Sequence, residues 1–245
     1  MSVAIVGRGQ LGRAVEHALS TRGVRSRLVS RSTGFDVTAP GLQVDLGPVD
    51  VVVEATDIFT TRKEVATGFF TQSTRAVGAA ARSAGARHLL VSVVGLGQPG
   101  IQRYGYFAAK AEQERVARRE STDLTVVRST QWFEFAQQSL ERMRLGPLAV
   151  VPAMTLRPVA LEAVADVVAE CVVGERAGTS YDVAGPEVLT LWEMTRALPR
   201  RAAVLVPVRL PGPAGRAFRA GAMATGEGVE LVGPRFADWL AERRE

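Results

Sequence analysis

Three glycines near the amino terminus place the strongest constraint on how this chain can fold. Residues 2–6, SVAIV, are a short apolar run, and the helical pattern LGRAVEHALSTRG follows shortly after it. The connecting VGRGQLG places Gly7, Gly9 and Gly12 in the spacing G-x-G-x-x-G. Between a strand and a helix, the first glycine permits a tight turn, the second admits a pyrophosphate, and the third lets helix and strand pack closely. The segment predicts a dinucleotide-binding turn; glycines that serve only a tight turn are the alternative.

Strand-like and helical segments alternate after this turn. Residues 49–56, VDVVVEAT, are a continuous β-branched run, which is typical of a strand buried on both faces of a parallel sheet. A long helical pattern, the strand RHLLVSVVG, a second helix and the strand DLTVVRS follow in order. The alternation predicts an α/β fold with a doubly wound parallel sheet, Rossmann-like. Residues 30–49 are too few for a full strand, helix and loop, so we expect residues 35–37, FDV, to be a short strand followed by a loop.

The character of the sequence changes after about residue 130. Prolines and glycines interrupt the later segments, as in VPVRLPGP, and mark loops or edge strands. We predict a dinucleotide-binding core over residues 1–130. A smaller, irregular substrate-side lobe over residues 131–245 is expected to pack on this core as part of a single compact unit.

The end of the second predicted strand indicates the cofactor. Chains that bind NAD usually carry an acid there for the ribose 2′-hydroxyl, but this chain has Ser30, Arg31 and Ser32. Arg31 can hold a 2′-phosphate by charge-assisted hydrogen bonds, with Arg8 as a second contact, so NADP(H) is expected rather than NAD(H). A solvated Arg31 is the alternative. The other predicted cofactor contacts are Gln10, Leu11, Ala55, Thr56 and Lys110.

A tyrosine and a lysine follow the strand that contains Ser92. Tyr106 and Lys110 are four positions apart on a predicted helix, so their side chains leave the same face. Of the 30 basic residues only Lys63 and Lys110 are lysines. A phenol with a pKa near 10 becomes a useful proton carrier when a neighbouring ammonium lowers that pKa. The pair is a candidate acid/base site; two ordinary residues on an amphipathic helix are the alternative.

Several segments together resemble a known family. VGRGQLG, VSVVG, YFAAKAEQE, DLTVVRSTQWFEF and YDVAGPEVLTLWEM are similar to the atypical short-chain dehydrogenases/reductases, in particular the NmrA-like NAD(P)H-binding group. The resemblance implies that Tyr106 is the acid/base, that Ser92 orients a substrate carbonyl, and that Lys110 anchors the ribose and tunes the tyrosine. The chain departs from the usual G-A-T-G-x-x-G of the group by having Arg8 and Gly9 in the turn.

The resemblance leaves more than one function open. The first is NADP(H)-dependent hydride transfer to or from a small carbonyl or alcohol. The second is a non-catalytic NAD(P)H-binding redox sensor or regulator, because the NmrA-like group includes proteins that bind the dinucleotide without turnover. An epimerase or dehydratase with tightly held NAD(P) is a third alternative.

Aromatic residues after the last strand of the predicted core are candidates for the substrate side. Trp132, Phe133 and Phe135 follow that strand, and Met154 and Arg157 could line the same cleft. A packed aromatic core is the alternative for the rings, and an ion pair is the alternative for Arg157.

Composition narrows the class of partners. The net charge is +5, but basic residues are scattered and balanced locally by acids, so no nucleic-acid partner is expected. No apolar run reaches the roughly 18 residues that a membrane helix requires. Cys171 is the only cysteine, which suits a reducing compartment, and no histidine or carboxylate spacing predicts a metal site. We therefore expect a cytoplasmic monomer or homodimer that acts on a small molecule without a metal.

Overall fold

The computed structural model describes residues 1–38, 46–199, 203–224 and 228–243. The strands are, in chain order, β1 (Ser2–Val6), β2 (Arg25–Val29), β3 (Val51–Glu54), β4 (Arg87–Val93), β5 (Leu124–Ser129), β6 (Arg144–Leu145), β7 (Leu148–Pro152), β8 (Thr155–Leu156), β9 (Ser180–Ala184), β10 (Leu189–Thr190), β11 (Val204–Val208) and β12 (Glu230–Leu231). The α-helices are α1 (Gln10–Thr21), α2 (Lys63–Ala84), α3 (Gly105–Glu120), α4 (Phe135–Arg142), α5 (Leu161–Val173), α6 (Leu191–Ala197), α7 (Gly212–Arg219) and α8 (Phe236–Glu242).

Seven strands form one sheet in the order β12-β9-β5-β4-β3-β1-β2. The pairings of β1 with β2 and β3, of β3 with β4, and of β9 with β12 are parallel. From β1 the chain adds β2 on one side and then β3, β4 and β5 on the other, which is a doubly wound order. The predicted α/β fold class with a doubly wound parallel sheet is confirmed. Ligands bind such sheets at the carboxyl ends of the strands where the order reverses, here between β1 and β3.

The short segment after β2 differs from its prediction. Residues 35–37 form no strand, so the FDV prediction is wrong. Phe35 is instead only 2% exposed and packs in a core cluster with Val29 and Val52. The phenylalanine ring covers the sheet where a strand or helix would otherwise lie, because a single large side chain can fill that space. The predicted loop extends into residues 39–45, which lie outside the described residues.

Helices α2 and α3 lie side by side in the same direction, and glycines allow their close approach. A Cβ on Gly105 would lie 2.9 Å from Cα of Lys63, where both helices begin. A Cβ on Gly78 would lie 3.0 Å from Cβ of Glu120, towards the other end of α3. Real Cβ atoms do not approach backbone so closely without displacement, so the Gly105 contact favours glycine. The first turn of α3 is thereby held against the start of α2.

The chain divides into two compact units, each made of separate segments. One unit consists of Met1–Ser92, Tyr104–Arg128 and Ala165–Tyr181. The other consists of Val93–Arg103, Ser129–Val164 and Asp182–Glu245. The chain passes from the first unit to the second after Arg128, close to residue 130, where the predicted core ends. The contiguous division into residues 1–130 and 131–245, with a substrate-binding role for the second part, stays a prediction.

The first unit contains most of the sheet and its buried valines. Val3 to Val6 are at most 1% exposed, and every residue of β3 is buried, including the acid Glu54. The second unit contains the parallel pair β7 and β11, with β6 antiparallel to β7, and the antiparallel pair β8 and β10. No helix of the described segments is long and apolar enough to span a membrane.

Candidate cofactor-binding and catalytic site

The glycine turn has the geometry that the spacing predicts. Gly7 has φ of +117°, and a Cβ there would overlap the carbonyl of Ala55. A Cβ on Gly12 would overlap the carbonyl oxygen of Gly7. By contrast, a Cβ on Gly9 would meet no atom within 4 Å. Gly7 and Gly12 are therefore required by the turn itself, whereas Gly9 faces open space where a ligand could approach the backbone.

Helix α1 begins directly at this turn and presents an anion-compatible end. Gly9 is its N-cap, no side chain caps it, and its first turn holds no acidic residue. The helix N-terminus carries a partial positive charge from its backbone N–H groups. Gln10 and Arg8 are exposed at the turn, but the side chain of Leu11 is only 5% exposed. Leu11 can therefore contact a ligand here only through its backbone.

The segment after β2 is a short 3-10 turn. Ser30 and Thr33 form a capping box around it, and the Ser30 and Ser32 hydroxyl oxygens lie 2.9 Å apart. Arg31 is exposed. The sequence analysis missed Asp36, an acid in this segment. Hydrogen bonds from Thr38, and to a smaller extent the charge of Arg31, lower the pKa of Asp36.

The residues after β3 point in different directions. The Ala55 N–H donates to the carbonyl of Val6 at 2.8 Å, and its own carbonyl faces Gly7. The Thr56 hydroxyl is turned inward and donates to Oε1 of Glu54 at 3.1 Å. Of the two predicted contacts, Ala55 lies at the glycine turn, whereas the side chain of Thr56 belongs to a buried polar cluster.

Tyr106 lies in the first turn of α3. Its hydroxyl donates to Oδ1 of Asp57 at 2.9 Å. Its ring makes edge contacts with Phe70, at a centroid distance of 5.7 Å, and with Phe107, at 5.3 Å. Asp57 is exposed and was missed by the sequence analysis, although it follows β3 at the carboxyl edge of the sheet. Its position just after a buried strand was the available signal.

Lys110 is buried on the same face of α3. Its Nζ donates to the carbonyl of Val91 at 3.1 Å and to Oε1 of Gln113 at 2.6 Å. It also lies 4.9 Å from the centroid of the Phe70 ring, which Tyr106 contacts as well. Burial lowers the pKa of Lys110, and the nearby carboxylates, Asp57 first among them, partly oppose that effect. Tyr106 and Lys110 therefore share one helix face, as predicted, but the ammonium points to internal acceptors.

Ser92 is not hydrogen-bonded to Tyr106. The residue is 3% exposed, and the polar group that its hydroxyl acts on is the Glu114 carboxylate. Burial alone would raise the pKa of Glu114. The Arg128 guanidinium outweighs the effect of burial, and the Ser92 hydroxyl also lowers the pKa, so the pKa of Glu114 lies below its usual range. The structure thus brings the Ser92 hydroxyl near Glu114. Arg128 binds both oxygens of Glu114 at 2.7 Å and forms a structural ion pair there.

A buried polar cluster around Glu54 was not foreseen from the sequence. Glu54 is 0% exposed, and six donor contacts come from five side chains. These side chains are Thr56, Ser73, Thr74, His88 and Gln113. Burial alone would raise the pKa of Glu54, but His88, Thr74 and Ser73 outweigh it and hold the pKa below its usual range. The signal was a single acid within the valine run VVVEA.

Gln113 connects this cluster to Lys110. Its Nε2 donates to Oε1 of Glu54 at 3.0 Å, while its Oε1 accepts from Lys110. On the other side of Glu54, His88 Nδ1 lies 2.7 Å from the Ser121 hydroxyl. The lysine side chain therefore has a fixed position set by fully buried partners.

The predicted substrate residues belong to the second unit. Phe133 is 1% exposed and packs in an aromatic cluster with Phe236 and Trp239, at centroid distances of 5.1 and 5.2 Å. The Phe133 ring is thus buried among other aromatic rings, and its assignment to a substrate pocket stays a prediction. Trp132 instead donates from Nε1 to the Ser129 hydroxyl at 3.0 Å.

The remaining candidates of this set are partly or fully enclosed. Phe135 is half-buried at the start of α4, and Met154 is 8% exposed. The Nε of Arg157 is buried without a partner among the described residues, so the ion pair considered for it is not formed there. Their contact with a substrate stays a prediction. Within the described part of the chain, no group of His, Cys, Asp or Glu could hold a metal ion.

The chain is similar in fold to solved structures of low sequence identity. No protein-family model and no curated protein sequence matches this chain. Among solved structures, it is similar to a dTDP-4-dehydrorhamnose reductase from Clostridium acetobutylicum, with 15% identity, full coverage of both chains and a TM-score of 0.69. A Bacillus anthracis enzyme of the same name, in complex with NADP, gives 13% identity, coverage of 98% and 97%, and a TM-score of 0.70.

A third similar structure is an enzyme of a different name. The Escherichia coli NADPH-dependent quinone oxidoreductase, in complex with NADPH, gives 14% identity, coverage of 99% and 100%, and a TM-score of 0.65. These likenesses show that the chain has the doubly wound Rossmann-type fold of these reductases. At such identity they show the fold alone, and membership of the NmrA-like group stays a prediction.

Proposed function

We propose that this chain is an NADP(H)-dependent oxidoreductase of the short-chain dehydrogenase type, which transfers hydride to or from a small carbonyl or alcohol. The observation that carries the proposal is the Tyr106 hydroxyl. It lies at the carboxyl edge of the sheet, on the helix face that it shares with Lys110. A proton carrier is needed wherever hydride adds to a carbonyl, because the oxygen gains negative charge as the carbon–hydrogen bond forms.

The residues of the first unit fit a bound dinucleotide. The open space above Gly9 and the uncapped start of α1 suit a pyrophosphate, and Arg31 with Arg8 suits a 2′-phosphate. NADP(H), when bound, supplies or accepts the hydride. Similar structures in complex with NADP and NADPH support this choice of cofactor. Tyr106 would hold and transfer the proton, and Lys110 would provide the positive charge next to it.

A specific observation favours a second function, a non-catalytic NAD(P)H-binding sensor. The Lys110 ammonium is bound to Val91 and Gln113, and no hydrogen bond joins Ser92 to Tyr106. A chain with these contacts could bind the dinucleotide without turnover. Titration with NADPH and NADH, followed by a panel of carbonyl, quinone and imine compounds, separates the two functions. NADPH binding with no consumption across the panel would support the sensor.

Substitution of Gly9 by alanine is expected to weaken NADPH binding at least about tenfold, which is about 1.4 kcal/mol, while the fold is retained. The added Cβ meets no protein atom within 4 Å, so its only conflict is with a ligand. Fluorescence titration with NADPH measures the effect.

Gly68→Ala is the matched control, because Gly68 lies in α2 and a Cβ added there would also meet no atom within 4 Å. The control should bind normally and gain about 0.5–1 kcal/mol in stability. Equal affinity in Gly9→Ala and the wild type would contradict the placement of the pyrophosphate.

Substitution of Arg31 by alanine is expected to weaken NADPH binding about 10- to 100-fold and to change NADH binding little, because a charge-assisted hydrogen bond contributes about 1.5–3 kcal/mol. The same titration with both dinucleotides gives the ratio. Arg25→Ala provides the control, since this exposed arginine lies at the other end of β2. An unchanged NADPH-to-NADH ratio in Arg31→Ala would show that Arg31 is a solvated residue.

A further inference from the structure

The contact between Asp57 and Tyr106 is not explained by the roles proposed so far. The phenol donates its hydrogen to Oδ1 of Asp57 at 2.9 Å. A carboxylate that accepts this hydrogen bond stabilises the neutral phenol and opposes the formation of a phenolate beside it. Lys110 acts in the opposite sense, because an ammonium stabilises a phenolate. Asp57 and Lys110 therefore act on the Tyr106 phenol in opposite senses, and only Lys110 was expected.

We propose that Asp57 is a positioning residue that keeps the Tyr106 phenol protonated and so prepares the site to donate a proton, which is the reductive direction. This inference rests on the proposed function and deepens it. A site prepared for oxidation would need a phenolate to accept the proton of an alcohol. A carboxylate 2.9 Å from the phenol oxygen disfavours that state.

Groups from two helices also surround Tyr106, and Asp57 is the carboxylate that its hydroxyl contacts. Helix α2 presents the apolar ring of Phe70, and the backbone at Lys63 lies against Gly105. Helix α3 contributes Lys110 and the ring of Phe107. The next carboxylate, Glu54, is fully buried and is separated from Lys110 by Gln113. Asp57 is therefore the carboxylate that contacts the phenol directly.

The proton balance of the reductive step gives Asp57 a second task. The Tyr106 O–H turns from Asp57 to the substrate oxygen and breaks as its proton passes to that oxygen. The hydride that forms the new C–H bond would come from NADPH, which would leave as NADP⁺. The phenolate that remains must regain a proton from solvent. Asp57 is exposed and bound to the phenol oxygen, so its second task is to keep that oxygen within reach of solvent. No oxidant or reductant beyond NADPH is required.

Substitution of Asp57 by asparagine keeps the shape of the side chain and removes its charge. The midpoint for ionisation of Tyr106 is then expected to fall by about one pH unit, because the charge that opposed the phenolate is gone. Ultraviolet difference titration of tyrosinate measures this midpoint. The chain has three tyrosines, so the Tyr106 signal is obtained by subtracting curves of matching Tyr106→Phe variants. Asp123→Asn, an exposed aspartate just before β5, is the control and should leave the midpoint unchanged.

The outcomes of this titration separate the inference from the proposed function. An unchanged or higher midpoint in Asp57→Asn would overturn the role of Asp57, whether or not the protein turns over any substrate. If a carbonyl substrate is found, the reduction rate of Asp57→Asn should begin to fall at a lower alkaline pH than that of the wild type, in line with its lower midpoint. Asp57→Glu should restore the wild-type pH dependence. A wild-type protein that consumes no NADPH would contradict the proposed function, while a lowered midpoint would still support the control of Tyr106 by Asp57.

Discussion

Replacement of Tyr106 by phenylalanine is expected to reduce the rate of carbonyl reduction by about 100- to 10,000-fold, the usual contribution of a general acid. The variant loses only the hydroxyl, whose recorded hydrogen bond goes to the exposed Asp57. The ring keeps its edge contacts with Phe70 and Phe107, so the fold and the NADPH affinity should be retained. Steady-state consumption of NADPH, measured beside an NADPH titration, distinguishes loss of chemistry from loss of binding.

Tyr104→Phe is the matched control for this substitution. Tyr104 is the N-cap of the same helix and precedes Tyr106 by two positions in the sequence. Burial raises the pKa of Tyr104, which makes it a poorer proton donor than an ordinary phenol. This control should keep its rate within about twofold. Undiminished turnover in Tyr106→Phe would remove Tyr106 from the mechanism, whatever the family resemblance implies.

Substitution of Glu54 by leucine is expected to lower the free energy of unfolding by about 3–5 kcal/mol, as observed when one partner of a buried charged cluster is removed. Leucine would leave the donors from Ser73, Thr74, His88 and Gln113 without their buried acceptor. Such a loss is a large part of the 5–15 kcal/mol that typical domains possess. Denaturant unfolding, with the slope compared between variants, measures it.

The control and the pH dependence make this prediction specific. Glu175→Leu, an exposed position after α5, should change stability by less than about 0.5 kcal/mol. Because the pKa of Glu54 lies below its ordinary value of 4.5, its ionised form stabilises the folded state above that value. That contribution is lost as the pH falls through the lowered pKa. Glu54→Gln should therefore lose less stability on acidification than the wild type does, and equal acid sensitivity would contradict the role of the ionised carboxylate.

Much of the fold could be predicted because its determinants are local. The roles of Gly7 and Gly12 depend on residues within one strand–turn–helix unit, and the overlaps that a Cβ would cause there are those the spacing implies. The order of strands and helices then gave the doubly wound sheet. The prediction of a strand at FDV was wrong because it rested on the length of the segment, whereas the burial of Phe35 depends on contacts with Val29 and Val52.

The candidate site could be predicted only in part. The spacing of Tyr106 and Lys110 places both on one helix face, and the structure has both against Phe70. Ser92 was assigned to them because it lies in β4 near the carboxyl edge, but position in a strand does not fix where a hydroxyl points. Phe133 shows the same limit, since an aromatic residue after a strand can complete a core as readily as a pocket.

By itself the sequence determined the dinucleotide turn, the doubly wound order and the shared face of Tyr106 and Lys110, because each follows from spacing within one element or from the order of elements. Only the tertiary structure decided which carboxylates act on that pair. Asp57 is 49 positions from Tyr106, and Glu54 is 59 positions from Gln113. These contacts arise because β3 ends beside the helix that begins 50 residues later, and their hydrogen bonds replace the water that each group loses on folding.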